Sequence, residues 1–513
     1  MELAGGCALS AGRSPGCPRL RPLCTLRIPG EVAKRVFGKL SGGMVRTYRY
    51  RVYPTKAQVV ALEEQLAWAA DLYNAALQER RDAWRLARRS IHFSGQSAEL
   101  TEYRREGGQT PTGMAALVQH EVLRRVDRAF QAFYRRCKSG QKPGYPRWRA
   151  KDRYDSLTFG LTHDNTSGAG NLRGGALQLT GIGRLKVRWH RPLPEEALAK
   201  TANVRRSCGK WYVSLGLELP EPAATSGGNR PAAGIDLGIH CWAVLVSEEP
   251  AVAAAVREDL AKAEVVAELD PRDGSAVLIR GPRARQRSAK KVKRLQRALA
   301  RCKQKSRRRA KAVARLAKAR EHERLVRRDH VHKVSSVVVR HHGSVFVEDL
   351  NIAGMSTSAR GTIEAPGRNV GAKSGLNREI LDQGWYDIRQ ALTYKAEGAG
   401  RSVVGVPARN TSQVCSACGE VVRKPRACRE HRCPECGHEA DRDVNAAHNI
   451  LRAGQVRRSA TAADAVDREC SSDRQPPGCA DVTLPEARDR GSRARARSVG
   501  VSPWCSHQTP ACP

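Results

Sequence analysis

The chain has 513 residues, enough for two to four domains, and it carries 90 Lys and Arg against 51 Asp and Glu, a formal net charge of +39. So large a positive excess indicates a polyanionic partner, with nucleic acid as the first candidate. Because the chain has no run of 18 apolar residues, no signal peptide and no cysteine pattern typical of a disulfide framework, we expect a cytoplasmic protein with no membrane partner.

The N-terminal region is predicted to combine strands with helices. Residues 1–43 show no periodicity, and we interpret them as a disordered or non-native extension before Met44. A first strand is predicted directly after Met44, and Thr55 is placed to cap a helix with one apolar face. Leu185–Trp189 is a short predicted strand, and Trp211–Leu219 alternates as a strand after a hairpin turn that begins at Cys208.

These patterns indicate one module. A second helix is predicted from apolar residues at helical spacing, Leu123, Val126, Phe130, Phe133 and Cys137. We therefore expect residues 44–220 to form a mixed β-barrel and helical module for nucleic-acid recognition. Residues 221–231, rich in Pro, Ala, Ser and Gly, are expected to be a linker.

From residue 232 the pattern becomes that of an α/β domain. Strands are predicted at Ala233–Asp236, Trp242–Ser247, Ala276–Ile279, Ser344–Glu348 and Ser402–Val406, with helical segments between the last three. Three strands in a meander, a helix, a strand, a helix and a strand follow the order of an RNase H-type sheet. Residues 232–410 are therefore expected to be an α/β domain of this type.

Two segments of this domain have unusual charge. Residues 248–273 form an acidic insertion with helical character. Residues 287–340 are predicted to be two basic helices, because between Gly281 and Lys333 there are 22 Lys and Arg and three acids, a net charge of +19. Such a surface is costly unless phosphates neutralise it, so we expect nucleic-acid contacts here. The predicted contacts are Arg307, Arg308, Arg309, Lys311 and Arg315.

Two CxxC knuckles follow the α/β domain. Cys415-Ser-Ala-Cys418 and Cys433-Pro-Glu-Cys436 are separated by 14 residues, and each can supply two thiolates to one tetrahedral Zn²⁺. We expect residues 411–440 to be a zinc ribbon in which the metal has a structural role. Residues 441–452 form a carboxylate motif, and residues 453–513, which lack periodicity, are predicted to be disordered.

Three carboxylates stand at the ends of separate predicted elements. Asp236 lies in an apolar strand, Glu348 ends another strand, and Asp443 follows the knuckles. An acid in an apolar strand is desolvated unless a positive group neutralises it. Two Mg²⁺ ions among the three carboxylates would relieve their repulsion and create a site for phosphoryl transfer.

Several motifs resemble the transposon-encoded OrfB/TnpB family, and they occur in family order over roughly residues 44–452. They are Arg51-Val-Tyr-Pro-Thr-Lys, Leu72-Tyr-Asn74-Ala-Ala-Leu, Lys142-Pro-Gly-Tyr-Pro-Arg, Gly-Ile-Asp236-Leu-Gly, Val-Glu348-Asp-Leu-Asn, Thr411-Ser-Gln-Val-Cys-Ser-Ala-Cys-Gly and Asp-Arg-Asp443-Val-Asn-Ala-Ala-His-Asn-Ile. The resemblance implies a RuvC-like nuclease domain with an inserted zinc ribbon, guided by an RNA copied from the transposon end. It also implies a bacterial, nucleoid-associated protein in which Asp236, Glu348 and Asp443 are the catalytic, magnesium-binding triad.

Three functions remain possible at this point. The first is a transposase-family, RNA-guided DNA endonuclease that uses Mg²⁺. The second is a catalytically inactive, guided DNA-binding regulator of transposition. The loss of one of the three acids would indicate such a protein, and here all three are present. The third is an unguided, structure-specific nuclease, which would cut DNA without bound RNA.

Overall fold

The structure is a computed structural model, and it describes residues 44–162, 169–173, 175–194, 197–220, 230–425 and 428–472. The expected N-terminal extension, most of the expected linker and the end of the expected tail lie outside these ranges. The chain divides into two compact units after Gly454, and the account below concerns the first, except for one helix that runs through the boundary. Within the described ranges, no helix has both the length and the apolar character that a membrane crossing needs.

The N-terminal module is built on a nearly closed, seven-stranded sheet. Its strands are β1 (Met44–Tyr53), β2 (Ser156–Gly160), β3 (Gly170–Arg173), β4 (Ala176–Leu179), β5 (Gly183–Arg188), β6 (Leu198–Ser207) and β7 (Lys210–Leu219). They pair in the order β2-β6-β7-β1-β5-β4-β3, and a bridge between Leu161 and Gly170 joins the two outer edges. The expected barrel is thus present, although only β1, β5 and β7 of its strands are predicted from the sequence.

The hairpin between β6 and β7 has the turn that the sequence predicts. Cys208 and Gly209 both have positive φ, 49° and 72°. A two-residue hairpin turn with positive φ at both positions matches the twist of the strands that it joins.

Three helices pack on the barrel: α1 (Lys56–Ala87), α2 (Phe93–Arg105) and α3 (Ala116–Lys138). The predicted cap at Thr55 is confirmed, because its Oγ1 accepts a hydrogen bond from the Gln58 backbone N–H (3.3 Å) and its own N–H donates to Gln58 Oε1 (3.0 Å). The apolar faces of α1 and α3 share one core with the barrel, which buries Leu66, Tyr73, Phe130, Tyr50 and Phe159 among others.

The second sheet has six strands. They are β8 (Ala232–Asp236), β9 (Ala243–Ser247), β10 (Ala267–Leu269), β11 (Ala276–Ile279), β12 (Ser344–Glu348) and β13 (Ser402–Val406). The order is β10-β11-β9-β8-β12-β13, with β12 parallel to both β8 and β13 and the remaining pairs antiparallel. The five strands predicted from the sequence are all present, and β10 is an addition within the acidic insertion.

Helices cover both faces of this sheet. They are α4 (Pro250–Lys262), α5 (Ala284–Ala300), α6 (Arg307–His341), α7 (Ile352–Met355), α8 (Val370–Gln383), α9 (Trp385–Glu397) and α10 (Arg442–Ser472). One face packs on residues of α4, α6 and α9, and the other packs on α10. The approach of α10 is close enough to require glycine, since a Cβ on Gly234 would lie 2.3 Å from the carbonyl oxygen of Ala447.

The end of the described chain corrects one prediction. The two-stranded sheet β14 (Glu430–Arg432) and β15 (Glu439–Asp441) leads directly into α10, which continues to Ser472. The prediction of disorder from residue 453 is therefore wrong for residues 453–472. This stretch is rich in alanine, the best helix former, and it extends a helix that is already nucleated, so no new nucleation cost arises.

Candidate functional site

The three predicted acids lie at one edge of the second sheet. Asp236 and Glu348 end the adjacent parallel strands β8 and β12, in which Ile235 is in register with Val347. The two acids that follow this pair therefore point to the same face, on neighbouring strands about 4.8 Å apart. That face is the one covered by α10, and Asp443 is the second residue of α10.

All three carboxylates are buried, with 8–9% of each residue exposed. Burial raises the pKa of Asp236 well above its usual range, and the negative charges of Glu348 and Asp443 raise it further. Burial also raises the pKa of Glu348, the hydrogen bond donated by Thr411 Oγ1 (2.6 Å) opposes that rise, and the charge of Asp443 adds to it. The structure thus brings the three acids into mutual electrostatic contact, in a place suited to a cation.

Positive side chains lie near this cluster, and the charges of Arg429 and Arg442 both oppose the rise in the pKa of Asp236. The guanidinium of Arg429, directly before β14, contacts the Asp443 carboxylate and lies 4.0 Å from Asp441 Oδ1. Asp441 Oδ1 in turn accepts a hydrogen bond from the Asp443 backbone N–H at 2.8 Å. Neither Arg429 nor the Glu348 partner Thr411 is assigned a role from the sequence, because each meets its acid only after folding.

The four predicted cysteines converge into one group. The Sγ atoms of Cys415 and Cys436 are 3.6 Å apart, those of Cys418 and Cys433 are 3.5 Å apart, and all four lie within 4.8 Å of one another. Four sulfur ligands about 2.3 Å from a tetrahedral metal lie about 3.8 Å apart, so the group fits such an ion. Burial opposes ionisation of Cys415, but hydrogen bonds from the backbone N–H groups of Cys418 and Ala417 lower its pKa to about 7.

The nearby side chains that could compete as ligands are engaged elsewhere. His431 Nδ1 lies 2.6 Å from Lys424 Nζ, and His438 Nε2 lies 3.2 Å from Ser416 Oγ. Cys428 Sγ is directed to the carbonyl oxygen of Glu430 at 3.3 Å. Among the described residues, the metal-binding group comprises the four cysteines of the two knuckles and none of these three side chains.

Two asparagines connect the cysteine group to α10. Asn445, fully buried, accepts a hydrogen bond from the Ser416 N–H (2.9 Å) and donates to the Val414 carbonyl (2.7 Å). Asn449 donates to the carbonyl oxygens of Thr411 and Val414, at 2.9 and 2.7 Å. The first knuckle is therefore bound to the helix that begins beside Asp443, which explains why the two motifs are adjacent in the sequence.

The predicted basic residues of α6 lie on the surface. Arg307, Arg308, Lys311 and Arg315 are exposed, and Arg309 is half-buried with Nη1 donating to the Leu299 carbonyl at 3.4 Å. Within the described part of the chain, no carboxylate oxygen lies within 4.0 Å of these five side chains. Their charge is therefore available to a polyanion.

A second basic region is formed by a cleft of about 1100 Å³ between the barrel and helices α6 and α9. It is lined by seven Lys or Arg residues and three tyrosines: Arg46, Arg49, Arg51, Arg188, Arg191, Arg328, Lys395, Tyr48, Tyr212 and Tyr394. The sequence does not predict this cleft, because its walls come from segments far apart in the chain. A signal of the cleft in the sequence is the spacing of Arg49 and Arg51, which lie two residues apart and so share one face of β1.

Positive charge in the cleft is incompletely balanced. Burial and the charges of Arg328 and Arg324 lower the pKa of Arg49. Burial and the charge of Arg191 lower the pKa of Lys395 to about 8. Guanidinium groups of the cleft also lie over aromatic rings: Arg49 and Arg51 are 4.0 and 5.2 Å from the centre of Tyr212, and Arg191 is 3.5 Å from the centre of Tyr48. A bound anion would relieve this repulsion, so the cleft is a candidate nucleic-acid interface.

Three family models match separate parts of the chain. An OrfB model described as "Probable transposase" matches residues 215–359, and one described as "Cas12f1-like, TNB domain" matches residues 385–450. One described as "Helix-turn-helix domain" matches residues 44–89, which in this structure form the strand β1 and the single long helix α1.

Two curated relatives match most of the chain. It is 31% identical over 419 residues to a candidate RNA-guided DNA endonuclease of Streptomyces pristinaespiralis, covering 80% of this chain and 89% of the relative. It is 28% identical over 416 residues to InsQ, a candidate RNA-guided DNA endonuclease of Escherichia coli (strain K12), covering 80% of this chain and 93% of the relative. The solved mini-RNA-guided endonuclease CRISPR-Cas_phi3 matches 80% of this chain and 92% of its own, at 9% identity and a TM-score of 0.40, too weak a likeness to support an argument.

Proposed function

The chain belongs to the transposon-encoded OrfB/TnpB family, and on that premise we propose that it is a transposon-associated, RNA-guided endonuclease that hydrolyses DNA phosphodiesters. The observation that most supports a hydrolytic site is the convergence of Asp236, Glu348 and Asp443, buried and electrostatically coupled, at one sheet edge. Three carboxylates buried beside one another are costly for a purely structural purpose.

We assign residues 232–410 to an RNase H-type, RuvC-like domain, with residues 411–440 as an inserted zinc ribbon and residues 441–452 as its last motif. The strand order, with β12 parallel to β8 and β13 beside an antiparallel meander, supports this assignment. Residues 44–220 are proposed as the nucleic-acid-recognition module.

The acids are proposed to hold Mg²⁺. When bound, two such ions would supply an activated water and a stabilised 3′ oxygen leaving group. The chain itself supplies three oxygen-donor side chains on rigid elements, which is the ligand chemistry that Mg²⁺ prefers. Thr411 orients the Glu348 carboxylate by its hydrogen bond, and Arg429 balances part of the negative charge at Asp443. The metal of the four-cysteine group is proposed to be structural Zn²⁺.

Guide RNA and target DNA are the proposed polyanions. The cleft and the exposed face of α6 offer phosphate contacts, which position nucleic acid without reading its bases. Sequence recognition would come from base pairing between guide and target.

The function is tested by purifying the protein together with its transposon end, sequencing the bound RNA and adding plasmid that matches the guide. The proposal expects cleavage that needs both the RNA and the match. Binding without cleavage would indicate the guided regulator, and cleavage without RNA would indicate the unguided nuclease.

The first prediction concerns α6. Changing Arg307, Arg308, Lys311 and Arg315 to Gln should weaken nucleic-acid binding and reduce the slope of log affinity against log salt by about 0.7–0.9 for each phosphate contact that is lost. Filter binding at several salt concentrations measures both the affinity and the salt slope. An unaltered slope would mean that this face is merely solvated.

The cleft gives a separate prediction. The Arg49→Gln, Arg191→Gln double variant should reduce the salt slope by about 1.4–1.8, from two lost contacts at about 0.7–0.9 each. As a control, Arg105→Gln with Arg128→Gln removes the same charge from exposed arginines that pair with Glu102 and Glu121. If the control reduces the slope equally, the effect is one of net charge and the cleft is not the interface.

A further inference from the structure

The acidic insertion ends in a compact loop beside the candidate active site. Between β10 and β11, Asp270 Oδ1 accepts hydrogen bonds from the backbone N–H groups of Arg272 (2.8 Å) and Asp273 (3.2 Å), and the Asp270 N–H donates to the Ala276 carbonyl (2.9 Å). The loop is therefore ordered by its own contacts. Arg272 and Asp273 of this loop each contact a segment outside it, Glu430 and His448 respectively.

Asp273 uses both carboxylate oxygens. Oδ1 accepts hydrogen bonds from the Ser275 N–H (2.9 Å) and the Ser275 hydroxyl (2.6 Å), and Oδ2 lies 2.5 Å from His448 Nε2. The hydrogen bond with His448 is the largest cause that holds the pKa of Asp273 well below its usual range. Both side chains are partly buried, at 28% and 34% exposed, so water screens the pair only in part.

His448 lies on α10, five residues after Asp443. On that helix the neighbouring apolar residues Val444, Ala447 and Ile450 pack into the sheet core. Apolar packing of this kind fixes the distance of a helix from its sheet but resists rotation and sliding less well, because it is non-directional. A hydrogen-bonded pair with set geometry adds the missing direction.

The same loop also reaches the ribbon. Arg272 Nη2 lies 3.6 Å from Glu430 Oε1 on β14, next to Arg429, which contacts Asp443. A cavity of about 320 Å³ separates the loop from the ribbon and from α10, and Asp270, Ser416, His438 and Asp441 are among its lining residues. The Asp273–His448 pair and the Arg272–Glu430 pair are polar contacts of the loop across this junction.

We propose that the acidic insertion positions the candidate active site: its closing loop, through the Asp273–His448 pair, sets where α10 presents the Asp443 carboxylate. This inference rests on the proposed function of Asp443. Asp273 and His448 are positioning residues, since neither is placed to touch the reacting atoms. Asp273 and His448 lie 175 positions apart in the chain, so their contact is a product of the tertiary fold.

The experiment compares Asp273→Asn and His448→Gln with the unaltered protein, each loaded with guide RNA. Asp273→Asn keeps an oxygen for Ser275 and removes the charge that faces His448. We expect each variant to lower kcat for matched-DNA cleavage about 10–100-fold and to weaken the binding of divalent metal by a similar factor, as the loss of a partner that orients a ligand does. The double variant should be no worse than either single variant, because both remove the same link.

Two readouts do not depend on cleavage. Mn²⁺ binding to the RNA-loaded protein, followed by electron paramagnetic resonance without DNA, should weaken in both variants. Amide hydrogen exchange of residues 442–450 should become faster, while zinc content and RNA affinity stay unaltered.

The matched control lies in the same insertion. Asp259→Asn removes a carboxylate of α4 that pairs with Arg340 (2.9 Å) and His341 (3.0 Å) of α6, away from α10. It should leave kcat and Mn²⁺ affinity unaltered.

The proposal is wrong if Asp273→Asn and His448→Gln match the unaltered protein, or if Asp259→Asn lowers kcat and Mn²⁺ affinity as much as they do. The second result would mean that the insertion only stabilises the fold. If the unaltered protein does not cleave, the proposed function fails instead, and Mn²⁺ affinity with hydrogen exchange still decides whether the pair positions α10.

Discussion

Asp236→Ala, Glu348→Ala and Asp443→Ala are each expected to lower the rate of matched-DNA cleavage by at least about 10³-fold, with affinity for guide RNA and matched DNA largely kept. The acids are proposed to hold the metal as a unit. The loss of one ligand would then disturb the geometry that the other two need, so double variants should be no worse than single ones. Binding should survive because affinity comes from Lys, Arg and base pairing.

The matched control is Asp349→Asn, next to Glu348 in sequence. Asp349 has an exposed side chain that pairs with Arg389, and its removal should leave the cleavage rate unaltered. Robust cleavage by Asp443→Ala would contradict the assignment of that acid and would direct attention to Asp441.

The isosteric variant Asp236→Asn separates chemistry from stability. The pKa of Asp236 is raised in the folded protein, so the folded state holds its proton more tightly than the unfolded state does. The metal-free protein should therefore lose stability as the pH rises from about 4 toward the raised pKa. Asp236→Asn removes this loss, so we expect a higher Tm at neutral pH without Mg²⁺, a smaller rise in Tm on adding Mg²⁺, and no cleavage. A lower Tm without Mg²⁺ would contradict the proposed repulsion.

The second large effect is expected from the four-cysteine group. Cys415→Ser or Cys433→Ser should reduce bound zinc from one ion per chain to none and abolish cleavage. Binding energies of structural zinc sites are on the order of 10 kcal/mol, and they are folding energy for the segment that the metal orders. Loss of the first knuckle would also release Val414 and Ser416, which hydrogen-bond to Asn445 on α10. Elemental analysis and hydrogen exchange over residues 411–441 measure these effects.

Cys428→Ser is the control within the same ribbon, since Cys428 is exposed and its Sγ is directed to a backbone carbonyl. It should keep the metal and the cleavage rate. Folded Cys415→Ser protein with a full complement of zinc would show that the ligand set is different.

Much of the fold could be predicted because its signals are local. The five strands predicted for the second sheet are apolar runs, and Thr55 with Gln58 forms a capping box within four residues. In the barrel, β6 is not predicted although Ala202 and Val204 face inward, because its remaining residues are mainly polar or charged. Its strand state depends on pairing with β2 and β7, which is a tertiary property.

For the candidate site, the sequence by itself determined the residue types: two cysteine pairs at metal-binding spacing, and acids at the ends of apolar strands. Only the tertiary structure decided what surrounds them. Thr411 meets Glu348, Arg429 meets Asp443, and Asp273 meets His448 across 175 positions. The basic cleft likewise forms where β1 faces α6. Spacing and periodicity describe neighbours along the chain, whereas a pKa, an ion pair or a cleft depends on which distant segments the packing of the cores brings within a few ångströms.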